Sequence, residues 1–406
     1  IHCLQNPCMQ EFLILAIDTS CDETSASVVR GLTMLSNVMP SQMEFHKKYG
    51  GVVPSLAKLA HQERIDNVIK ESLKKAGVLI EQIDAIAVTY GPGLAIALEI
   101  GLNKAKELAK TYSKPLIGIN HMEGHLLSSF IQRNSTSSSS LEQVVSEAKF
   151  PALGVLISGG HTELILVKSF GEYQKIGETL DDSCGEAYDK CGRVLGFGYP
   201  AGPTISKFAK EHRKNIVIST YKRNLSTLVK IKNISTGAEY ELPIAMAASG
   251  DLNFSYSGLK TAFKQLVENK INKKLTHQDE VAGVSKSLSK NEILDLSVLI
   301  ETAALSQLTI KIKKAIEIYN PKEIWLGGGV IASSRLRSLV RSAAKENNAT
   351  LRYPFNNKLT GDNAAMIGVA ASLKILVTKE LNEDLENQIL LSNFERLDRD
   401  PSLSLG

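Results

Sequence analysis

The chain has no Cys-x-x-Cys pair, and its five cysteines, Cys3, Cys8, Cys21, Cys184 and Cys191, are odd in number and scattered. This excludes the even disulfide framework of small secreted domains and predicts a reducing compartment. No apolar run approaches the roughly 20 residues of a membrane span, and the N-terminus lacks the basic start and long apolar core of a signal peptide. A cytoplasmic protein is expected. Nor does either charge dominate. The 47 lysines and arginines face 43 acids, net +4, which neither demands nor excludes nucleic acid, so local clustering carries the information. Position 1 is not methionine, whereas Met9 directly precedes the first β-prone run, so residues 1–8 are expected to be an extension outside the fold.

What is present reads as a duplicated α/β chain. At 406 residues it is long for one core, and two domains are expected. A strand over Phe12 to Ile17, a polar turn over Asp18 to Glu23 and a strand over Thr24 to Val29 predict a hairpin with a ligand-binding turn. The pattern recurs as Ala152 to Ile157, the turn Ser158-Gly159-Gly160-His161, and Thr162 to Val167. Two such hairpins argue for two lobes with a cleft between their turns. Between them fall a helix over 54–75, a strand over 83–89, a helix over 94–111 and a strand over 116–119. Residues 134–149, with their serine tract, are expected to be a linker. Further helices are expected at 183–195, 203–213, 258–270, 292–319 and 333–347, with a strand over Glu323 to Leu326.

His121 and His125 lie four apart, just after the apolar run Leu116 to Ile119. On a helix that spacing stacks two imidazoles on one face, where both can grip one ion. Alone, such a pair reads first as a surface or satisfied core pair. Gly124 between them costs helix propensity, which points to a close approach by a ligand or a second backbone. Asp362, in a Gly-Asp turn before a helix, is the best third ligand, and a two-His, one-carboxylate set leaves coordination positions open for a substrate.

Gly91-Pro92-Gly93, Ser158-Gly159-Gly160 and Gly327-Gly328-Gly329 each follow a strand. Each is ambiguous by itself; together they fit a phosphate-binding cleft. Asp181, Asp182, Glu186 and Asp189 form a carboxylate-rich helix start that reads either as a solvated face or, at Asp189, as a ribose acceptor. From Lys207 to Lys232, six lysines and two arginines face only Glu211, a candidate phosphate-backbone surface or a solvated face.

Together these motifs resemble the tRNA N6-adenosine threonylcarbamoyltransferase family of the actin-like, sugar-kinase-like (ASKHA) superfamily. The matching segments are Ile17-Asp18-Thr19-Ser20-Cys21-Asp22-Glu23-Thr24, Gly50-Gly51-Val52-Val53-Pro54, Gly91-Pro92-Gly93-Leu94, Asn120-His121-Met122-Glu123-Gly124-His125, Ile157-Ser158-Gly159-Gly160-His161-Thr162, Gly185-Glu186-Ala187-Tyr188-Asp189-Lys190, Phe254-Ser255-Tyr256-Ser257-Gly258-Leu259-Lys260-Thr261, Gly328-Gly329-Val330 and Asp362-Asn363. They run in family order from about residue 13 to about 375.

The resemblance implies a two-lobed α/β fold: a first lobe over 9–133, with a helix near 363–378 packing back on it, a second over 150–362 and a charged tail over 379–406. It implies transfer of threonylcarbamoyl from L-threonylcarbamoyladenylate to N6 of the adenosine 3′ of the anticodon in ANN-decoding tRNAs, releasing AMP. The implied metal is iron(II) or zinc on His121, His125 and Asp362. The implied adenylate residues are Leu156, Ile157, Ser158, Gly159, Gly160, Asp189, Gly202 and Ser333. Ser333 stands where the family usually has Asn. Asp22 and Glu23 match the family's acidic pair, with Asp22 handling the proton of the attacking amine. An inserted hairpin is expected over 222–247. The implied partners are tRNA, a paralogous dimerisation subunit and a small P-loop ATPase.

Three rivals are weaker. A His-Glu-x-x-His metallo-endopeptidase needs its glutamate beside the first histidine; here Met122 stands there, and Glu123 lies about 200° round the helix from His121. A small-molecule kinase of the superfamily does not need the His pair, and a non-catalytic paralogue is expected to lack the metal ligands.

Overall fold

The computed structural model describes residues 11–40, 54–134, 139–224, 226–276, 279, 283–284, 287–381 and 397–406. Residues 1–8, the Gly50 to Val53 motif, the Ser135 to Ser138 tract and the tail over 382–396 lie outside them. Two compact units divide the chain: Pro54–Ala148 with Asp362–Ser404 and the residues up to Pro40, and a second unit dominated by Lys149–Gly361.

In the first unit, β1 (Leu13–Asp18) is central, paired antiparallel to β2 (Ser25–Arg30) and parallel to β4 (Ala85–Gly91). With β3 (Thr33–Val38), β5 (Leu116–Asn120) and the short β6 (Gln132–Arg133), the order is β5-β4-β1-β2-β3-β6. All six β1 residues are buried, because helices cover both faces. Leu13, Leu15 and Ile17 share a core with Ile65, Val68 and Ile69 of α1 (Pro54–Ala76) and Leu102 and Ala105 of α2 (Ala95–Tyr112). Next come α3 (His121–Leu127) and α4 (Leu141–Glu147). The latter corrects the linker expectation: Ser140 accepts the Gln143 N–H and starts a helix.

The second unit repeats the arrangement. Its five-stranded sheet runs β14 (Thr350–Arg352), β13 (Glu323–Gly327), β7 (Ala152–Ile157), β8 (Thr162–Ser169), β9 (Glu172–Glu178), with β7 antiparallel to β8 and parallel to β13. Its described α-helices are α5 (Cys184–Val194), α6 (Gly202–His212), α7 (Ser257–Ile271), α8 (Lys290–Tyr319) and α9 (Ser334–Glu346). Aside from β6, both sheets carry one strand order: the duplicated actin-like architecture. Alone among the described helices, α8 is long and apolar enough to cross a membrane, yet it is a core helix, with Leu296, Leu299, Ile300 and Leu308 buried.

The expected hairpin over 222–247 is a three-stranded antiparallel sheet that begins earlier, β10 (Ile216–Arg223), β11 (Ser226–Asn233) and β12 (Glu239–Ile244). Val229, Ile231, Leu242 and Ile244 join the unit's core. Buried Asp295 of α8 pins it, meeting His212 Nε2 and accepting from Asn233 Nδ2, both at 2.8 Å. The chain returns to the first unit as α10 (Ala364–Leu381), whose Gly368 lies against Val29 and Ala16, on the β1 face opposite α1 and α2.

Candidate metal centre and nucleotide cavity

β5 runs into α3 without a loop. Asn120 closes the strand and caps the helix, its Oδ1 accepting the N–H groups of Met122 at 2.8 Å and Glu123 at 3.3 Å. His121 and His125 therefore stack one turn apart, ring centroids 4.6 Å from each other. Asp362 stands just before α10, whose buried cap Asn363 accepts the Met366 N–H. Its Oδ1 lies 3.1 Å from His125 Nε2 and 3.4 Å from His121 Nε2. Gly124 permits this approach: a Cβ there would meet Ile367 Cδ1 at 2.8 Å and Met366 Cγ at 3.2 Å. The close neighbour is thus α10, the helix that brings Asp362.

The electrostatics ask for a cation. Burial alone would lower the pKa of His121, but Asp362 and Asp18 override it and push it up to about 10. His125, with no exposed surface, is held below its ordinary value by burial and by His121. Burial would raise Asp362, but His121 and His125 hold it well below the carboxylate range. One positive charge is favoured among three converging donors, all within 4.8 Å of one another. Tetrahedral ligands about 2.1 Å from an ion lie roughly 3.4 Å apart, so the donor set and spacing fit a divalent metal. Asp18 Oδ1 stands 3.6 Å from His121 Nδ1, behind the ring.

The turn after β1 borders this centre. Thr19 Oγ1 donates to Ala97 O at 2.8 Å, and the Ser20 N–H to Asp18 Oδ1 at 3.2 Å. His61 is fully buried and braces the turn. Its Nε2 donates to Cys21 O at 3.0 Å, so Nδ1 accepts from Thr24 Oγ1 at 2.8 Å. Burial lowers its pKa, which suits that neutral tautomer. Asp22 and Glu23 in the turn are half-buried. Burial, then Asp22 and Asp362, raise the Cys21 thiol well above its usual value.

The second unit holds a cavity of about 580 Å³. Of the expected residues, Gly159, Asp189, Gly202 and Ser333 line it. Leu156 and Ile157 do not: both are fully buried in β7. Ser158 shapes the turn, its Oγ accepting the N–H groups of Gly160 at 3.3 Å and His161 at 3.1 Å. Asp189 Oδ1 accepts the Ala201 N–H at 2.7 Å and so fixes the start of α6; burial raises its pKa. The Ser333 hydroxyl caps α9, accepting the Leu336 N–H at 3.3 Å. The starts of α5, α6 and α9 meet at this cavity, a setting that favours an anion.

Sequence reasoning missed Tyr188, Lys207 and Lys210 in the cavity wall. The two lysines, three apart on α6, belong to the basic run, and their helical spacing behind Gly202 is the signal that sets them apart. The rest of that run is largely paired. Arg213 meets Glu301, Arg223 meets Glu241, and Lys230 and Lys232 both meet Glu239. Most of the carboxylate run is structural. Burial would raise Asp181, but bonds from Ser255, Ser257 and the Tyr256 N–H hold it at about 2. Asp182 pairs with Lys190, and Glu186 completes a capping box with Ser183.

Residues 33–369 match the family described as tRNA N6-adenosine threonylcarbamoyltransferase. Proteins of that name from Clostridioides difficile and Streptococcus gordonii are 39% and 41% identical to the chain. The first alignment covers 89% of this chain and 93% of the relative, the second 89% and 92%. The Bacillus subtilis protein is 39% identical over 90% of this chain and 91% of its own length.

Proposed function

The chain belongs to the tRNA N6-adenosine threonylcarbamoyltransferase family and transfers a threonylcarbamoyl group to N6 of a tRNA adenosine, and we propose that the donor is L-threonylcarbamoyladenylate and the acceptor the adenosine 3′ of the anticodon, position 37, in ANN-decoding tRNAs. The observation that carries the site reading is the convergence of His121, His125 and Asp362. A divalent ion held there, iron(II) or zinc, would supply Lewis acidity toward the carbonyl and phosphate oxygens.

The remaining chemistry belongs to the chain's own side chains. The N6 amine attacks the carbamoyl carbon, the bond from that carbon to the phosphate oxygen breaks, and AMP leaves. Lys207, Lys210 and the N-terminus of α6 suit the phosphate, and Asp189, which lines the same cavity, suits a ribose hydroxyl. Ser333 offers one hydroxyl, already shared with the α9 cap, where an asparagine would offer an amide. Asp22, with Glu23 beside it, is assigned the departing amine proton. A reaction on tRNA fits the cytoplasm. The bacterial-type His-Met-Glu-Gly-His motif favours a paralogous dimerisation subunit and a small P-loop ATPase as partners.

The test is a His121→Ala, His125→Ala double variant. It should lose its metal and more than about 100-fold in transfer, while L-threonylcarbamoyladenylate affinity, measured by calorimetry, stays within a few-fold. Full metal occupancy in that variant would remove the reading.

A further inference from the structure

α3 has seven residues, too few for intrinsic helical stability. Its placement depends on its cap, and Asn120 is held by a partner remote in sequence. While Oδ1 serves the helix, Nδ2 donates to the Ser404 carbonyl at 3.1 Å, across 284 residues of sequence. The segment carrying Ser404 is fastened to the same sheet end. The Asp400 N–H donates to Tyr90 O at 2.8 Å, the Gly93 N–H to Pro401 O at 3.2 Å, and Arg399 pairs with Glu99 at 3.0 Å. The sequence leaves room for this crossing: a Cβ at Gly91 would stand 1.8 Å from Asp400 O. Leu397 packs on the first unit's core. None of this segment lies within the 33–369 span that matches the family.

We propose that residues 397–404 form a strap that positions the His121–His125 pair, with Asn120 and the Ser404 carbonyl as its positioning groups. The strap fixes the plane of the Asn120 amide through a third hydrogen bond. A fixed amide keeps both cap bonds on α3, and His121, the first residue of that helix, moves least when they are kept. Released from Ser404, the amide rotates, the first turn frays, and Nε2 of His121 leaves the point it shares with His125 and Asp362. His125, one turn deeper and fully buried, is less affected.

This inference rests on the metal reading of the centre, and the experiment separates the two. Zinc affinity is measured by chelator competition on the full chain, on Asn120→Ser, on a chain ending at residue 396, and on the combination. Serine keeps a capping oxygen for α3 but is too short to reach Ser404. The expected result is an affinity loss of about tenfold in each single variant and no further loss in the combination, since the Asn120–Ser404 bond through which the strap reaches α3 is absent in both. A changed cobalt(II) absorption spectrum and an unchanged L-threonylcarbamoyladenylate affinity should accompany it, which general destabilisation would not produce. If the full chain binds no zinc, the metal reading fails and the inference with it. If the full chain binds zinc and Asn120→Ser binds equally tightly, or the two effects add, the strap alone is overturned. Should the shortened chain not fold, Asn120→Ser decides.

Discussion

The two units place their sites at one address and fill it with opposite chemistry. In each, the site gathers at the carboxyl end of the central strand, beside the hairpin turn that follows it, β1 with 18–23 and β7 with 158–161. The first unit puts buried imidazoles and carboxylates there and favours a cation. The second puts glycine backbone, three helix starts and two lysines there and favours an anion. Strand order fixes where a ligand meets the fold; the few side chains at the strand ends fix which sign of charge it carries.

The sharpest way to break the contrast is to spoil the packing that brings the first site's donors together. Gly124→Leu puts a side chain where Ile367 and Met366 lie, so α10 must retreat with Asp362. A stability loss of about 1–3 kcal/mol is expected by denaturant titration, with metal occupancy falling below half. The adenylate cavity, built within the other unit, should keep its affinity.

Asp189→Ala probes the opposite site and should have the intermediate effect. It frees the Ala201 N–H and removes a ribose acceptor, which predicts an adenylate affinity loss of roughly 1–3 kcal/mol by calorimetry at full metal occupancy. Unchanged affinity would return Asp189 to a purely structural role.

Lys222→Glu with Arg223→Glu tests a surface that belongs to neither site, and the effect should be the smallest. Arg223 already faces Glu241, so the local excess is less than the linear count. We expect less than about threefold in tRNA binding and a salt slope reduced by no more than about two, measured by filter binding at two salt concentrations. Adenylate affinity should not move. A larger change would make the β10–β12 sheet a main tRNA surface.

Much of this was legible in the sequence, for a physical reason in each case. β1 and β7 show as unbroken apolar blocks because every residue of both strands is buried. The convergence of His121 and His125 shows because a spacing of four on a helix is a geometric statement, and Gly124 marks the close approach of the helix that brings Asp362. The basic run misled because its compensating acids, Glu239 and Glu241, come later in the chain and meet it only across a strand pair. His61 on α1 carries no motif that marks it, yet it is fully buried. One histidine with polar neighbours does not reveal that both ring nitrogens are occupied by the turn it supports.

The discontinuity of the first unit sets an order on its assembly. His125 and Asp362 are separated by 237 positions, and nearly all of the second unit is spelled out between them. A ribosome delivers β1 to β6 early, but the helix that covers the second face of β1 emerges only after that whole unit has been translated. Until then Ala16 and Val29 lack their Gly368 neighbour, and the histidines lack their carboxylate. The nascent first unit must wait, half-covered, and its three donors His121, His125 and Asp362 converge only late in the synthesis of each molecule.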